Sequence, residues 1–101
     1  MVDAIATAVR AEGVDVVANV SDEVTVFVAH ALQEHGVRIV RPRHEQNAVL
    51  IADGYARASG GVGVCAVGAG PAIAQTGTAL VTAQKKRSQV IVLLGQLVHR
   101  L

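Results

Sequence analysis

The feature that most constrains this chain is a repeated alternation of two patterns. Segments with apolar residues at helical spacing are followed by short Val-rich runs, and glycines sit at many of the joins. Short runs of this kind, with little polar alternation, read as strands buried on both faces. Ala4, Ile5, Ala8 and Val9 recur at helical spacing, and Gly13 ends that segment as a C-cap residue would. Asp15 to Val20 reads as the first strand. Ser21 and Asp22 stand where they can cap a second helix, which runs to His35 and stops at Gly36. Val26, Ala29, Leu32 and Gln33 trace one side of it.

Val37 to Arg41 predicts a second strand, broken by Pro42, and a helix from His44 to Ser59 comes next. Gly60 and Gly61 end that helix. Val62 to Val67 reads as the third strand. Gly68-Ala69-Gly70-Pro71 is a tight loop, with Pro71 where a helix can start. The next helix reaches Gln84, and Gln89 to Leu94 reads as the fourth strand, closed by Gly95. Such alternation predicts an α/β fold, a parallel sheet covered by helices on both faces in three α/β/α layers. Ligands of such sheets bind beyond the carboxyl ends of the strands. Here those ends are Asn19-Val20-Ser21-Asp22, Pro42 to Glu45, Gly68 to Pro71, and the stretch after Gly95.

Composition narrows the class. At 101 residues, one domain is expected, and a chain that is 51% hydrophobic and 17% charged can bury a core. Phe27 and Tyr55 are the only aromatics, so the core must be built from Val, Ala, Leu and Ile. A net charge of +1 gives no reason to expect a nucleic acid or an acidic membrane surface as partner. Lys85-Lys86-Arg87 reads as a solvated helix end. Cys65 is the single cysteine, lies in an apolar run and is expected to be a buried, inert thiol. His30, His35 and His99 match no ligand spacing, so no metal site is expected on this chain. Met1 to Arg10 does not read as a signal peptide, and no apolar run is long enough to cross a bilayer. A cytoplasmic protein is the simplest expectation.

The helix from His44 carries the most information. At about 100° per residue, Glu45, Ala48, Val49, Ala52 and Ala56 fall on one stripe. Gln46, Asp53 and Arg57 fall on another face, where Asp53 and Arg57 can pair at the surface. Glu45 therefore sits in the apolar stripe, in the first helical turn, just past a strand end. It could be a helix-start acid favoured by the dipole, or a partner for Arg41, Arg43 or His44. It could equally be a buried functional carboxylate. The Gly68-Ala69-Gly70-Pro71 loop is similarly open. It is either a tight connection or a place where backbone N–H groups approach a ligand. It is neither a Walker loop nor a dinucleotide fingerprint.

Arg43-His44-Glu45-Gln46, Ala52-Asp53-Gly54-Tyr55-Ala56-Arg57, Gly63-Val64-Cys65, Gly70-Pro71 and Leu94-Gly95-Gln96 occur in this order. Together they resemble the N-terminal pyrimidine-binding (Pyr) domain of thiamine diphosphate-dependent 2-oxo acid decarboxylases and acetolactate synthase-like enzymes, in a truncated or separate-subunit form. The resemblance implies that Glu45 is the catalytic carboxylate, hydrogen-bonded to N1′ of the cofactor's aminopyrimidine. Protonation there lets the 4′-nitrogen take the proton from C2 of the thiazolium, which then attacks a 2-oxo acid. It also implies that Gly68, Ala69, Gly70 and Pro71 border the pyrimidine. Gln75 takes the place of the Asn in the family's Gly-Pro-Gly-Ala-Thr-Asn stretch. Asn19, Val20, Ser21 and Asp22 match the loop facing the substrate, without the Pro-Gly pair that many relatives carry.

The same resemblance implies a partner. The family holds Mg²⁺ and the diphosphate in a second domain with a Gly-Asp-Gly motif, which this chain lacks. Residues 1–101 then form a partial Pyr domain whose C-terminal strands are missing. It is expected to be inactive alone and to work in a homo- or hetero-oligomer with a diphosphate-binding domain from another chain. The alternative is a non-catalytic assembly module that uses its exposed sheet edge. Against it stands the cost of burying an acid that has no role.

Overall fold

The computed structural model describes residues 1–68 and 70–95. The elements are α1 (Val2–Ala11), β1 (Val16–Asn19), α2 (Thr25–Glu34), β2 (Arg38–Val40), α3 (Glu45–Ser59), β3 (Gly63–Val67), α4 (Pro71–Gln75), α5 (Gly77–Lys85) and β4 (Val90–Leu94). All neighbouring strands are parallel, in the order β2-β1-β3-β4. β1 leads through α2 to β2 on one side, and β2 leads through α3 to β3 on the other. The chain therefore reverses direction across the sheet between β1 and β3, and a crevice is expected at their carboxyl ends.

Side chains alternating along β1 and β3 feed two cores. Val17 and Val64 join Ala6, Val9, Ala31 and Leu32 under α1 and α2. Ala18, Cys65 and Val67 join Ala48, Val49, Ala52 and Ala79 under α3 and α5. The residues are small, so the layers approach closely. A methyl group added at Gly63 would collide with the Ala52 carbonyl, which makes glycine the residue that lets α3 lie on β3. Burial pushes the Cys65 thiol up to about 12. Both aromatics lie outside the core. Phe27 is 64% exposed, and Tyr55 is half-buried and donates to Asp15 at 2.7 Å. That hydrogen bond, with some desolvation and the Asp15 charge, raises the phenol above its ordinary range.

Several details differ from the sequence reading. The inward stripe of α1 is Val2, Ile5, Ala6 and Val9, whereas Ala4 and Ala8 are exposed. On α2, Val26 and Gln33 face outward, and Thr25, Ala29, Ala31 and Leu32 are buried. The helix expected from Pro71 to Gln84 is broken at Thr76. There the backbone N–H and the hydroxyl both turn back to the Ile73 carbonyl, at 3.1 and 2.6 Å. Gly77, a poor helix former, comes just after the break. The largest difference is Asp53, expected at the surface but only 1% exposed. It does pair with Arg57, at 3.1 Å, but from inside. Lys85, Lys86 and Arg87 are all exposed at the end of α5.

Candidate functional site

The carboxyl ends of β1, β2 and β3 are tied together by side chains. Asn19, the last residue of β1, is 1% exposed, and its amide donates to the Ala66 carbonyl of β3 at 3.1 Å. Ser21 donates its hydroxyl proton to Asn19 Oδ1 at 2.7 Å and accepts from Arg41 Nη1 at 2.9 Å. Arg41 is the residue directly after β2, so this relay spans three strands. Ser21 does not cap α2, because its hydroxyl is committed to the relay.

Asp22 caps α2 without help from Ser21. Its Oδ1 accepts from Val24 N, Thr25 N and Thr25 Oγ1 at 3.0, 2.7 and 2.8 Å. Its own N–H donates to Thr25 Oγ1 at 3.0 Å, a reciprocal capping box. The same carboxylate lies against Gly68, where an added Cβ would collide with it. Gly68 therefore lets the loop after β3 close onto the loop after β1. Val20, between Asn19 and Ser21, packs against the core under α3.

Across the crevice, Gly70 begins α4 at φ 69° and ψ −125°, a conformation that favours glycine, and Pro71 is the first helical residue. A Cβ at Gly70 would meet nothing within 4 Å, so the loop leaves open space there. Gln75 ends α4 and is exposed. Ala69 lies outside the described residues, as does the chain after Gly95.

Glu45 is the first residue of α3, at the carboxyl end of β2. The sequence reading placed it in the buried stripe. Ala48, Val49, Ala52 and Ala56 are indeed buried, but Glu45 itself is only half-buried. The partners considered for it are engaged elsewhere or point away. His44 Nδ1 accepts from Gln46 N at 3.0 Å, Arg41 holds Ser21, and Arg43 is exposed. Among the described residues the Glu45 carboxylate has no hydrogen bond or ion pair. A carboxylate held at a helix start with its acceptors unused can receive a donor from a ligand, or deliver a proton to one.

Arg41 was not singled out from the sequence as a site residue. The signal was present, since a cation precedes the proline that stops β2 at its carboxyl end. His30 pairs with Glu34 and His35 lies 3.6 Å from Asp3. His99 lies outside the described residues. Among the described residues no cluster of His, Cys, Asp and Glu could hold a metal ion. None of their helices is long and apolar enough to cross a membrane. An apolar pocket of about 540 Å³ lies between α1, α2 and β4, but no charged side chain lines it and Glu45 is not part of it.

Comparison with known proteins shows the family and the fold. Residues 1–100 match the family model of the thiamine pyrophosphate enzyme N-terminal TPP binding domain. The chain is 40% identical to 2-hydroxyacyl-CoA lyase 2 of Mus musculus over 93 residues, which is 92% of this chain and 15% of that protein. It is 37% identical to the probable acetolactate synthase large subunit of Methanocaldococcus jannaschii over 99 residues, 98% of this chain and 17% of that one. Among solved structures, benzoylformate decarboxylase from Polynucleobacter necessarius superposes with a TM-score of 0.85 at 19% identity, over 97% of this chain and 18% of that chain. The chain thus spans less than a fifth of the length of these three relatives. The matched family model, over almost every residue, makes this chain a member of the thiamine pyrophosphate enzyme N-terminal domain family.

Proposed function

We propose that this chain is the pyrimidine-binding part of a thiamine diphosphate-dependent 2-oxo acid decarboxylase or carboligase, with Glu45 as the residue that activates the cofactor. The observation that carries this reading is the Glu45 carboxylate. It is half-buried at the start of α3 and has no partner among the described residues, although three basic side chains lie within four positions of it in sequence. An acid kept for an ion pair would take one of them.

The residues fit the group. Glu45 offers a carboxyl that can hold a proton at N1′ of an aminopyrimidine. Gly70 leaves open space at the loop, and Gly68 lets that loop close against Asp22. Gly68, Ala69, Gly70 and Pro71, with Gln75 at the end of α4, would border the pyrimidine. Asn19, Val20, Ser21 and Asp22 would line the substrate side, fixed by the relay to Arg41 and the capping box. When bound, thiamine diphosphate supplies the electron sink for breaking or making the bond next to the carbonyl of a 2-oxo acid. This chain's share is to place the ring and to move one proton at N1′.

Residues 1–101 act in this reading as a partial domain. Mg²⁺ and the diphosphate are held by a diphosphate-binding domain, in a cytoplasmic homo- or hetero-oligomer. Calorimetry of thiamine diphosphate and Mg²⁺ tests it, with the chain alone and with such a domain. Binding only in the combination, with turnover lost in Glu45→Gln, is expected. Failure to bind the cofactor in any combination would leave an assembly module built on the β4 edge, which pairs only with β3 among the described residues.

A further inference from the structure

The relay through Ser21 ends on a cation with spare capacity. Arg41 is exposed and uses one guanidinium N–H on Ser21. Among the described residues no carboxylate lies within ion-pair distance of it. Its anchor is rigid, because Ser21 is held by Asn19, which is 1% exposed and bonded in turn to the β3 backbone. A guanidinium has five N–H donors in a planar fork suited to carboxylates and other oxyanions. Here that fork is fixed over the carboxyl end of β1, on one flank of the crevice.

We propose that Arg41 is a specificity-determining residue that binds a second anionic group on the substrate, so that the site takes 2-oxo acids with a negatively charged tail. This rests on the reading of the chain given under Proposed function. The carboxylate common to all 2-oxo acids is a poor match for Arg41. It leaves as neutral CO₂, and a cation on it would stabilise the ground state more than the transition state. A charged tail keeps its charge throughout. Binding it is uniform across the reaction and is expressed in KM rather than in kcat. Ser21 is then a positioning residue, which holds the fork without touching the tail.

The test uses the chain assembled with a diphosphate-binding domain, with 2-oxoglutarate and oxaloacetate as dianionic probes and 2-oxobutyrate as the monoanionic one. Calorimetry measures Kd, and steady-state rates give KM and kcat. Tighter binding of a dianion than of 2-oxobutyrate is expected. Arg41→Gln should raise Kd and KM for that dianion about tenfold or more, the loss of a charge-assisted pair. The constants for 2-oxobutyrate should shift far less, only as far as the Ser21 loop loosens without its Arg41 donor. Ser21→Ala should raise the same KM about threefold, and Arg41→Lys should fall between wild type and Arg41→Gln. Equal loss for both substrate types in Arg41→Gln overturns the proposal, and so does no loss for either. An assembly that binds dianions through Arg41 but neither binds thiamine diphosphate nor turns over leaves Arg41 standing and removes the catalytic reading. An assembly that turns over 2-oxobutyrate but shows no preference for a dianion does the reverse.

Discussion

Two acids on α3 have opposite fates. Glu45 opens the helix, is half-buried and has no partner among the described residues. Asp53 lies two turns on, is 1% exposed and is held by Arg57 at 3.1 Å, with its Oδ1 making no hydrogen bond among the described residues. By helical geometry alone the expectation was the reverse, with Glu45 inside and Asp53 outside. A carboxylate sealed in the interior is tolerated because a cation reaches it. A carboxylate left without a cation, where cations are at hand, is available to something that arrives from outside.

Five substitutions, two of them on the buried pair, would break or sharpen that contrast. Glu45→Gln keeps the shape and removes the titrating proton. Turnover in the assembly should fall about 1,000-fold, near 4 kcal/mol of barrier, while the melting temperature stays within about a degree. A loss of stability instead would make Glu45 an acid of the Asp53 kind. Arg57→Met leaves Asp53 buried without its cation. It should cost about 2 to 3 kcal/mol in urea unfolding, the lower side of such losses because Arg57 is itself half exposed. Adding Asp53→Ala should restore most of that.

Gly68→Ala drives a methyl group against the Asp22 carboxylate and should cost about 1 to 2 kcal/mol. Amide shifts in both the Ser21–Thr25 and Gly70–Pro71 regions would confirm that the two loops are locked together. The smallest effect concerns Cys65, whose thiol is raised in the folded state from 9.0 to about 12. Unfolded chains lose this proton first, so stability falls as pH rises from about 9 toward 12. Cys65→Ala should lack that decrement in denaturation measured across this window.

Much of the architecture was legible, and the failures have physical reasons. The parallel pairing and the loops at the carboxyl ends of the strands are read from Val-rich runs alternating with helical periods. The face of Asp53 is not, because a helical wheel assumes one buried side. α3 lies on β1, β3 and β4 and is also flanked by α5, so a second strip of it is covered. The role of Ser21 was missed because a serine before a helix reads as a cap, whereas its actual partners come from residues 2 and 20 positions away. The longer of those two contacts leaves no local trace. Glu45 is singled out by its motif and its place in an apolar stripe, and its lack of a partner among the described residues is visible only in the structure.

The break at Thr76 divides what looked like one helix into two pieces with different holds on the protein. α5 buries Ala79 and Ala83, while α4 buries no residue. Thr76 is bonded back to Ile73, and the short piece after Gly70 touches α3 and α5 without burying a residue of its own. Opening it exposes little apolar surface, so its amides should exchange with deuterium far faster than those of Ala79 and Ala83. In the proposed reading α4 borders the cofactor, so that wall costs less to reshape than α5 and can adjust without disturbing the sheet.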